Sequence, residues 1–99
     1  MKLKHPAVAG TLESSDCRVT VEPKDDDGIE LTLESSVLAQ FEDELTASIL
    51  NTLEKLGVEN CRIQVEDKGA LDCTVRSRVQ TAVFRSVDQT EDLPWGTKI

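Results

Sequence analysis

Apolar and polar residues alternate in three segments of the chain, and a period of two is typical of a β-strand that buries one face. The three segments are 17–22, 29–34 and 61–66. A fourth strand is predicted over 8–12, where the apolar run is short and is weakened by Gly10. Four such strands predict a sheet that is covered on one face and wet on the other.

Apolar residues at intervals of three or four predict two helices. The first covers 37–56 and can be capped by Ser35 or Ser36, and its apolar stripe consists of Leu38, Phe41, Leu45, Ile49, Leu53 and Leu56. The second covers 70–87, with an apolar stripe at four-residue steps made of Leu71, Val75, Val79, Val83 and Val87. Its valines also fit a period of two, but the length without glycine or proline favours a helix.

The predicted order of elements is therefore βββαβα, which defines a small α+β fold. We expect a mostly antiparallel four-stranded sheet with the two helices packed on one face. The helix between the third and fourth strands would make those strands parallel if they are neighbours. A length of 99 residues predicts one domain over 1–99, in which 88–99 form a polar tail that is apolar only at Leu93-Pro94-Trp95.

Charge and composition narrow the possible partners and location. A net charge of −8 argues against nucleic acid, because phosphate binding needs a basic surface. No apolar run approaches the roughly 20 residues that cross a bilayer, and the N-terminus lacks the apolar stretch of a signal peptide. We therefore expect a cytoplasmic protein with no membrane association. The three cysteines, Cys17, Cys61 and Cys73, lack a Cys-x-x-Cys spacing, which predicts reduced, buried thiols rather than disulfides or a zinc site.

Little of the chain suits catalysis. The single histidine, His5, lies in an N-terminal segment that we expect to fray, and there is no glycine-rich phosphate loop followed by Lys-Ser/Thr. Asp25-Asp26-Asp27 lacks the alternate spacing and the distal glutamate of a calcium loop. The sequence therefore predicts no catalytic residue, no metal site and no enzyme activity of the chain alone.

The segment Glu13-Ser14-Ser15-Asp16 has the residues and the length of a hairpin turn between the first two strands. A serine on such a turn stands clear of the sheet, so the active site of another protein can reach its hydroxyl. Residue chemistry alone leaves two interpretations open: a simple turn, or a modification site at Ser14 or Ser15. Glu13 and Asp16 could hold the turn backbone or be recognised by a modifying enzyme.

Three separated segments resemble the citrate lyase acyl carrier protein family, the gamma subunit of that complex. They are PAVAGTLES at 6–14, DKGALDC at 67–73 and LPW at 93–95. The order of the segments and the chain length also agree, so the resemblance covers nearly the whole chain. Ser15 stands where glycine is common in the family, which leaves two adjacent hydroxyls.

The resemblance implies a carrier subunit that is not itself an enzyme. The implied attachment residue is Ser14, with Ser15 as the less favoured alternative, and the implied group is 2′-(5″-phosphoribosyl)-3′-dephospho-CoA, covalently attached. The implied partners are the citrate lyase alpha subunit (an acyl transferase), the beta subunit (a citryl lyase) and a separate prosthetic-group transferase. The implied function is to carry acetyl and citryl thioesters while citrate is cleaved to acetate and oxaloacetate.

Two alternative functions stay open beside this one. The carrier subunit of malonate decarboxylase bears the same type of group, although the Ala-Gly-Thr lead and the Leu-Pro-Trp segment favour citrate lyase. An unmodified acidic adaptor that only binds partner proteins is the other. Possible docking residues in any of these functions are Arg76, Arg78 and Arg85 on the second helix, and Trp95 in the tail.

Overall fold

The computed structural model describes residues 3–35 and 39–87. Its elements follow in the order β1 Ala7–Gly10, β2 Cys17–Glu22, β3 Gly28–Ser35, α1 Ala39–Lys55, β4 Asn60–Asp67 and α2 Asp72–Ser86. The predicted α+β class and the order βββαβα are confirmed. The predicted tail at 88–99, with Leu93-Pro94-Trp95, lies outside the described residues.

The four strands form one mixed sheet in the order β1-β2-β4-β3. β2 pairs antiparallel with both β1 and β4, whereas β3 and β4 are parallel neighbours, as expected for strands joined through a helix. The register places Val19 and Leu33 on either side of Val65. Since these residues share one face of the sheet, the period of two in the sequence translates directly into an apolar face.

The core lies between that apolar face and the two helices. Its fully buried members from the strands are Cys17, Val19, Val21, Cys61, Ile63 and Val65, and those from the helices include Ile49, Leu53, Val75, Val79 and Val83. The opposite face is polar and carries cross-strand ion pairs, in which Arg62 contacts Glu30 at 2.5 Å and Glu22 at 3.5 Å. Each strand therefore covers the core with one set of side chains and meets solvent with the other.

The helix predictions are confirmed with corrections at the helix starts. The valine-rich segment is the helix α2, but it begins at Asp72, and Leu71 just before it is 70 % exposed rather than buried. Phe41, in the first turns of α1, is 43 % exposed, so the predicted stripe does not enter the core there. Ser35 is the last residue of β3 and its hydroxyl donates to the Asp67 carboxylate at 2.8 Å, whereas residues 36–38, which include the other predicted cap, Ser36, lie outside the described residues.

The N-terminal segment is packed, which contradicts the expected fraying around His5. The backbone N–H groups of Lys4 and His5 both donate to the Ser86 carbonyl, at 3.2 and 3.3 Å, and Leu3 is buried. The Ser86 hydroxyl returns a hydrogen bond to the His5 carbonyl at 2.5 Å. The chain entering β1 is thus fastened to the last turn of α2.

Two of the three cysteines are buried as predicted, and the third prediction is wrong. Cys17 and Cys61 face the core, where burial raises the pKa of each thiol to about 11. Cys73 is exposed, because it lies in the first turn of α2 while Val75 and Val79 form the inner stripe.

We expect the folded chain, purified from a heterologous host, to take up one equivalent of a maleimide at pH 7, at Cys73. Cys17 and Cys61 are protected by burial and by a low fraction of thiolate. Intact mass measured with and without urea checks this, with three equivalents expected in urea. Rapid labelling of all three thiols in the folded chain would contradict the burial of Cys17 and Cys61.

Candidate functional site

The connection between β1 and β2, residues 11–16, forms an exposed turn that we call the tip. The Asp16 N–H donates to the Glu13 carbonyl at 3.1 Å, which places Ser14 and Ser15 at the two central positions. Ser15 has a φ of +66°, and it is the only non-glycine residue with positive φ among residues 3–35 and 39–87. A positive φ at the third position alone is the pattern of a type II turn, which favours glycine at that position.

The Asp16 carboxylate holds the tip to the rest of the fold. It accepts hydrogen bonds from the Thr11 hydroxyl at 2.7 Å and the Cys17 N–H at 2.7 Å. Arg78 of α2 donates from Nε and Nη2 to the two carboxylate oxygens, at 3.0 and 3.1 Å. The Arg78 bonds, followed by the Thr11 bond, lower the Asp16 pKa to about 2. Asp16 is therefore ionised and fully engaged at neutral pH.

The loop after β4 supports the tip from its other side. The Ser15 N–H donates to the Lys68 carbonyl at 2.8 Å, and the Lys68 N–H donates to the Asp16 carbonyl at 2.9 Å. These two bonds extend the β2–β4 ladder beyond its last residue pair. Asp67 is buried and fixes the loop, because its carboxylate accepts the N–H groups of Gly69 at 3.2 Å and Ala70 at 3.0 Å.

Gly10 brings β1 close to β2 beneath the tip. Its φ is +91°, and a Cβ added there would lie 1.9 Å from the Cys17 carbonyl oxygen and 3.1 Å from Cδ of Arg78. Backbone and the Arg78 stem thus occupy the space that any side chain would need. The tip is bounded by Gly10 below, Arg78 on the helix side and Lys68 on the sheet side.

Both candidate serines, Ser14 and Ser15, are exposed at the centre of this turn. Among the described residues, no side chain forms a hydrogen bond with the Ser14 hydroxyl. The single histidine, His5, lies at the start of β1 and contacts Pro6, whereas the tip follows the end of that strand. The tip therefore presents a free hydroxyl, and the histidine lies at the other end of β1.

Residues distant in the sequence complete the site, and the hydrophobic pattern of the chain did not predict their contacts with the tip. Arg78 is 62 residues from Asp16, and Lys68 reaches the tip only through its backbone. The sequence feature that could have pointed to these contacts is the second segment that resembles the family, 67–73, which contains Asp67 and Lys68. The structure shows that the loop in this segment supports the tip.

The arginines considered for docking are engaged within the chain. Arg76 donates to Asp72 at 2.8 Å, Arg78 to Asp16, and Arg85 to the Val8 carbonyl at 2.7 Å. They do not form a free basic face. The other docking candidate, Trp95, lies outside the described residues.

Within residues 3–35 and 39–87, neither helix is long and apolar enough to cross a membrane. The same residues contain no group of three or more His, Cys, Asp or Glu side chains placed to hold a metal ion. The exposed tip, with its free Ser14 hydroxyl, is therefore the candidate modification site in the described part of the chain.

Comparison with known proteins defines first the class and then the family. Residues 4–86 match the family model described as malonate decarboxylase delta subunit (MdcD), a family of acyl carrier proteins. A chain of the Pseudomonas malonate decarboxylase hetero-tetramer, solved in complex with malonate, shares the fold with a TM-score of 0.59 at 22 % identity. The likeness covers 86 % of this chain and 91 % of that chain.

Sequence relatives are much more similar. The citrate lyase acyl carrier protein of Vibrio cholerae serotype O1 is 50 % identical over 96 % of both chains. That of Escherichia fergusonii is 49 % identical over 97 % of this chain and 98 % of its own. That of Lacticaseibacillus casei is 49 % identical over 89 % of this chain and 86 % of its own. The chain belongs to the citrate lyase acyl carrier protein family.

Proposed function

We propose that this chain is the acyl carrier subunit of a citrate lyase complex, with its prosthetic group attached to Ser14. The observation that carries the proposal is the free, exposed Ser14 hydroxyl on a turn held by Asp16 and Lys68. The 50 % identity with a citrate lyase acyl carrier protein supplies the context. The proposed group is 2′-(5″-phosphoribosyl)-3′-dephospho-CoA, joined to the serine through a phosphodiester.

The residues of the tip fit such a group. Residues 11–15 are all exposed, so a bulky substituent on Ser14 meets solvent rather than a wall of the fold. Ser15 occupies the position that demands a positive φ, and its N–H is engaged by Lys68, which supports Ser14 as the attachment residue. When bound, the group supplies a terminal thiol that can carry an acyl chain as a thioester.

The work of the protein's own residues is to position that group. Asp16, Arg78 and the Lys68 backbone hold the turn still, so the attachment point keeps one geometry relative to the sheet. A tethered thioester meets the active sites of associated subunits at a high effective concentration, which lowers the entropic cost of each transfer. We assign those active sites to the alpha and beta subunits, and the activating base for attachment to a separate transferase.

We expect the protein isolated from cells fermenting citrate to carry the added nucleotide mass, and a Ser14→Ala variant to lose it completely. A Ser15→Gly variant is the matched control, because glycine suits the φ of +66° and leaves Ser14 in place. Intact mass of the three proteins checks this. Mass retained in Ser14→Ala but lost in Ser15→Gly would move the attachment to Ser15, and no added mass in the wild type would contradict a carrier role.

Malonate decarboxylase is the second candidate complex, since the matching family model and the solved structure bear that name. The loaded protein, combined with citrate lyase alpha and beta subunits, should restore oxaloacetate formation from citrate. The same loaded protein should give no carbon dioxide from malonate when it replaces the carrier of malonate decarboxylase. The opposite pair of results would assign the chain to the second complex.

A further inference from the structure

An apolar groove lies beside the tip, between the start of α1 and the start of α2. Its lining residues are Phe41, Glu44, Leu45, Ala70 and Asp72. Leu71, which stands between two of these residues, is 70 % exposed, and Phe41 is 43 % exposed. Phe41 lines the groove and Leu71 follows the lining residue Ala70 directly in the chain, and exposed apolar side chains of this size mark a candidate interaction surface.

The groove is close to Ser14 because both share the loop after β4. The Lys68 carbonyl accepts the Ser15 N–H at 2.8 Å, and Ala70, only two residues later, lines the groove. Two residues of extended chain span at most about 7 Å. The loop that holds the Ser15 N–H thus also lines the groove, so a protein bound at the tip has the groove within reach.

The charges around the groove are acidic. Asp72 is engaged by Arg76 and by the Ser48 hydroxyl, whereas Glu44 forms no ion pair or hydrogen bond with any other described residue. Glu42 and Asp43, in the same turn of α1, are exposed and equally unpaired among the described residues. This field would repel the anionic group carried on Ser14 and attract a basic protein surface.

We propose that this groove is the docking surface for the prosthetic-group transferase, which would insert a large apolar side chain flanked by lysine or arginine. The inference rests on the proposed attachment at Ser14. The position of the groove favours the transferase as the partner, because the transferase must contact Ser14 itself. The alpha and beta subunits act at the far end of the attached group and have no such need to approach the tip.

A second groove on the same helix gives matched controls. It is lined by residues that include Leu50 and Glu54, and Leu50 is 38 % exposed. Phe41 and Leu50 are nine residues apart on α1, which corresponds to about 13 Å along the helix axis. Leu71→Ser can therefore be compared with Leu50→Ser, and Glu44→Lys with Glu54→Lys, by identical changes of chemistry.

The experiment measures loading of the unmodified chain by the transferase that attaches the phosphoribosyl dephospho-CoA group, with KM for the carrier and kcat determined separately. We expect Leu71→Ser and Glu44→Lys each to raise KM at least about tenfold with little change in kcat, as for residues at the centre of an interface. Leu50→Ser and Glu54→Lys should stay within about twofold of the wild type. Circular dichroism and the urea midpoint establish that all four variants are folded.

The possible outcomes distinguish failure of the proposed docking surface from failure of the proposed carrier function. Suppose that Leu71→Ser and Glu44→Lys give the same KM values as Leu50→Ser and Glu54→Lys, and that the wild type is loaded normally. The groove would then not be the docking surface, while the carrier function would stand. Normal loading of Leu71→Ser, together with lost binding to the alpha subunit, would also overturn the proposed docking surface, because the groove would then serve another partner. A wild-type chain that is never loaded would remove the proposed function and this inference with it.

Discussion

Replacing Gly10 by Ala is expected to lower the free energy of unfolding by more than about 4 kcal/mol, a large part of the stability of a small domain. Two effects add. The φ of +91° strains any residue with a side chain, and the new Cβ would lie 1.9 Å from the Cys17 carbonyl oxygen. That oxygen belongs to the backbone of β2, so the clash cannot be relieved by rotating a side chain. Urea denaturation followed by circular dichroism measures the loss.

Gly28→Ala is the matched control for this prediction. Gly28 has a φ of +103°, but a Cβ added there meets nothing within 4 Å. We expect this variant to lose only about 1–2 kcal/mol, the cost of backbone strain alone. If the two variants were equally stable, the close approach of β1 to β2 beneath the tip would be contradicted.

Replacing Asp16 by Ala is expected to cost about 2–3 kcal/mol of unfolding free energy at pH 7. The change removes the two bonds from Arg78 and leaves the N–H of the buried Cys17 without its acceptor. The Asp16 side chain is only 14 % exposed, so water replaces these bonds incompletely. Glu13→Ala, an exposed carboxylate on the same turn, should change stability by less than about 0.5 kcal/mol.

The cost of Asp16→Ala should also depend on pH in a defined direction. The folded pKa is about 2 and the ordinary value is 3.8, so the ionised carboxylate stabilises the fold. That contribution is complete above about pH 4 and is lost as the pH falls through about 2. The difference between wild type and variant should therefore shrink by about 1–2 kcal/mol across this window. A difference that stayed constant down to pH 2 would contradict the ionic role of Asp16.

The alternating pattern was enough to predict the sheet and its buried face, because a strand exposes every second residue to the same environment. Spacing of three or four residues placed both helices, including α2, whose valines also fit a period of two. The errors lie where an element begins. Leu71 and Phe41 continue the apolar spacing beyond the point where the sheet covers the helices, and spacing alone does not show where a partner surface ends.

The tip itself was predictable from four local residues, but its supports were not. Turn chemistry depends on neighbours in the sequence, whereas the Asp16–Arg78 and Ser15–Lys68 contacts depend on how the sheet and α2 pack. No local pattern distinguishes Arg78 from Arg76 or Arg85, which bind other groups. The φ of Ser15 was likewise hidden, because a positive φ is uncommon for any residue other than glycine.

Lys68 and Arg78 hold the tip, so the modification proposed at Ser14 is linked to the folding of the whole domain. A growing polypeptide that has exposed only its first two strands has the serine but neither of these supports. The turn reaches its final geometry only after β4 has been inserted between β2 and β3 and α2 has packed over the sheet. Under the proposed function, a transferase that recognises the finished turn and its surroundings would therefore modify chains that have already folded.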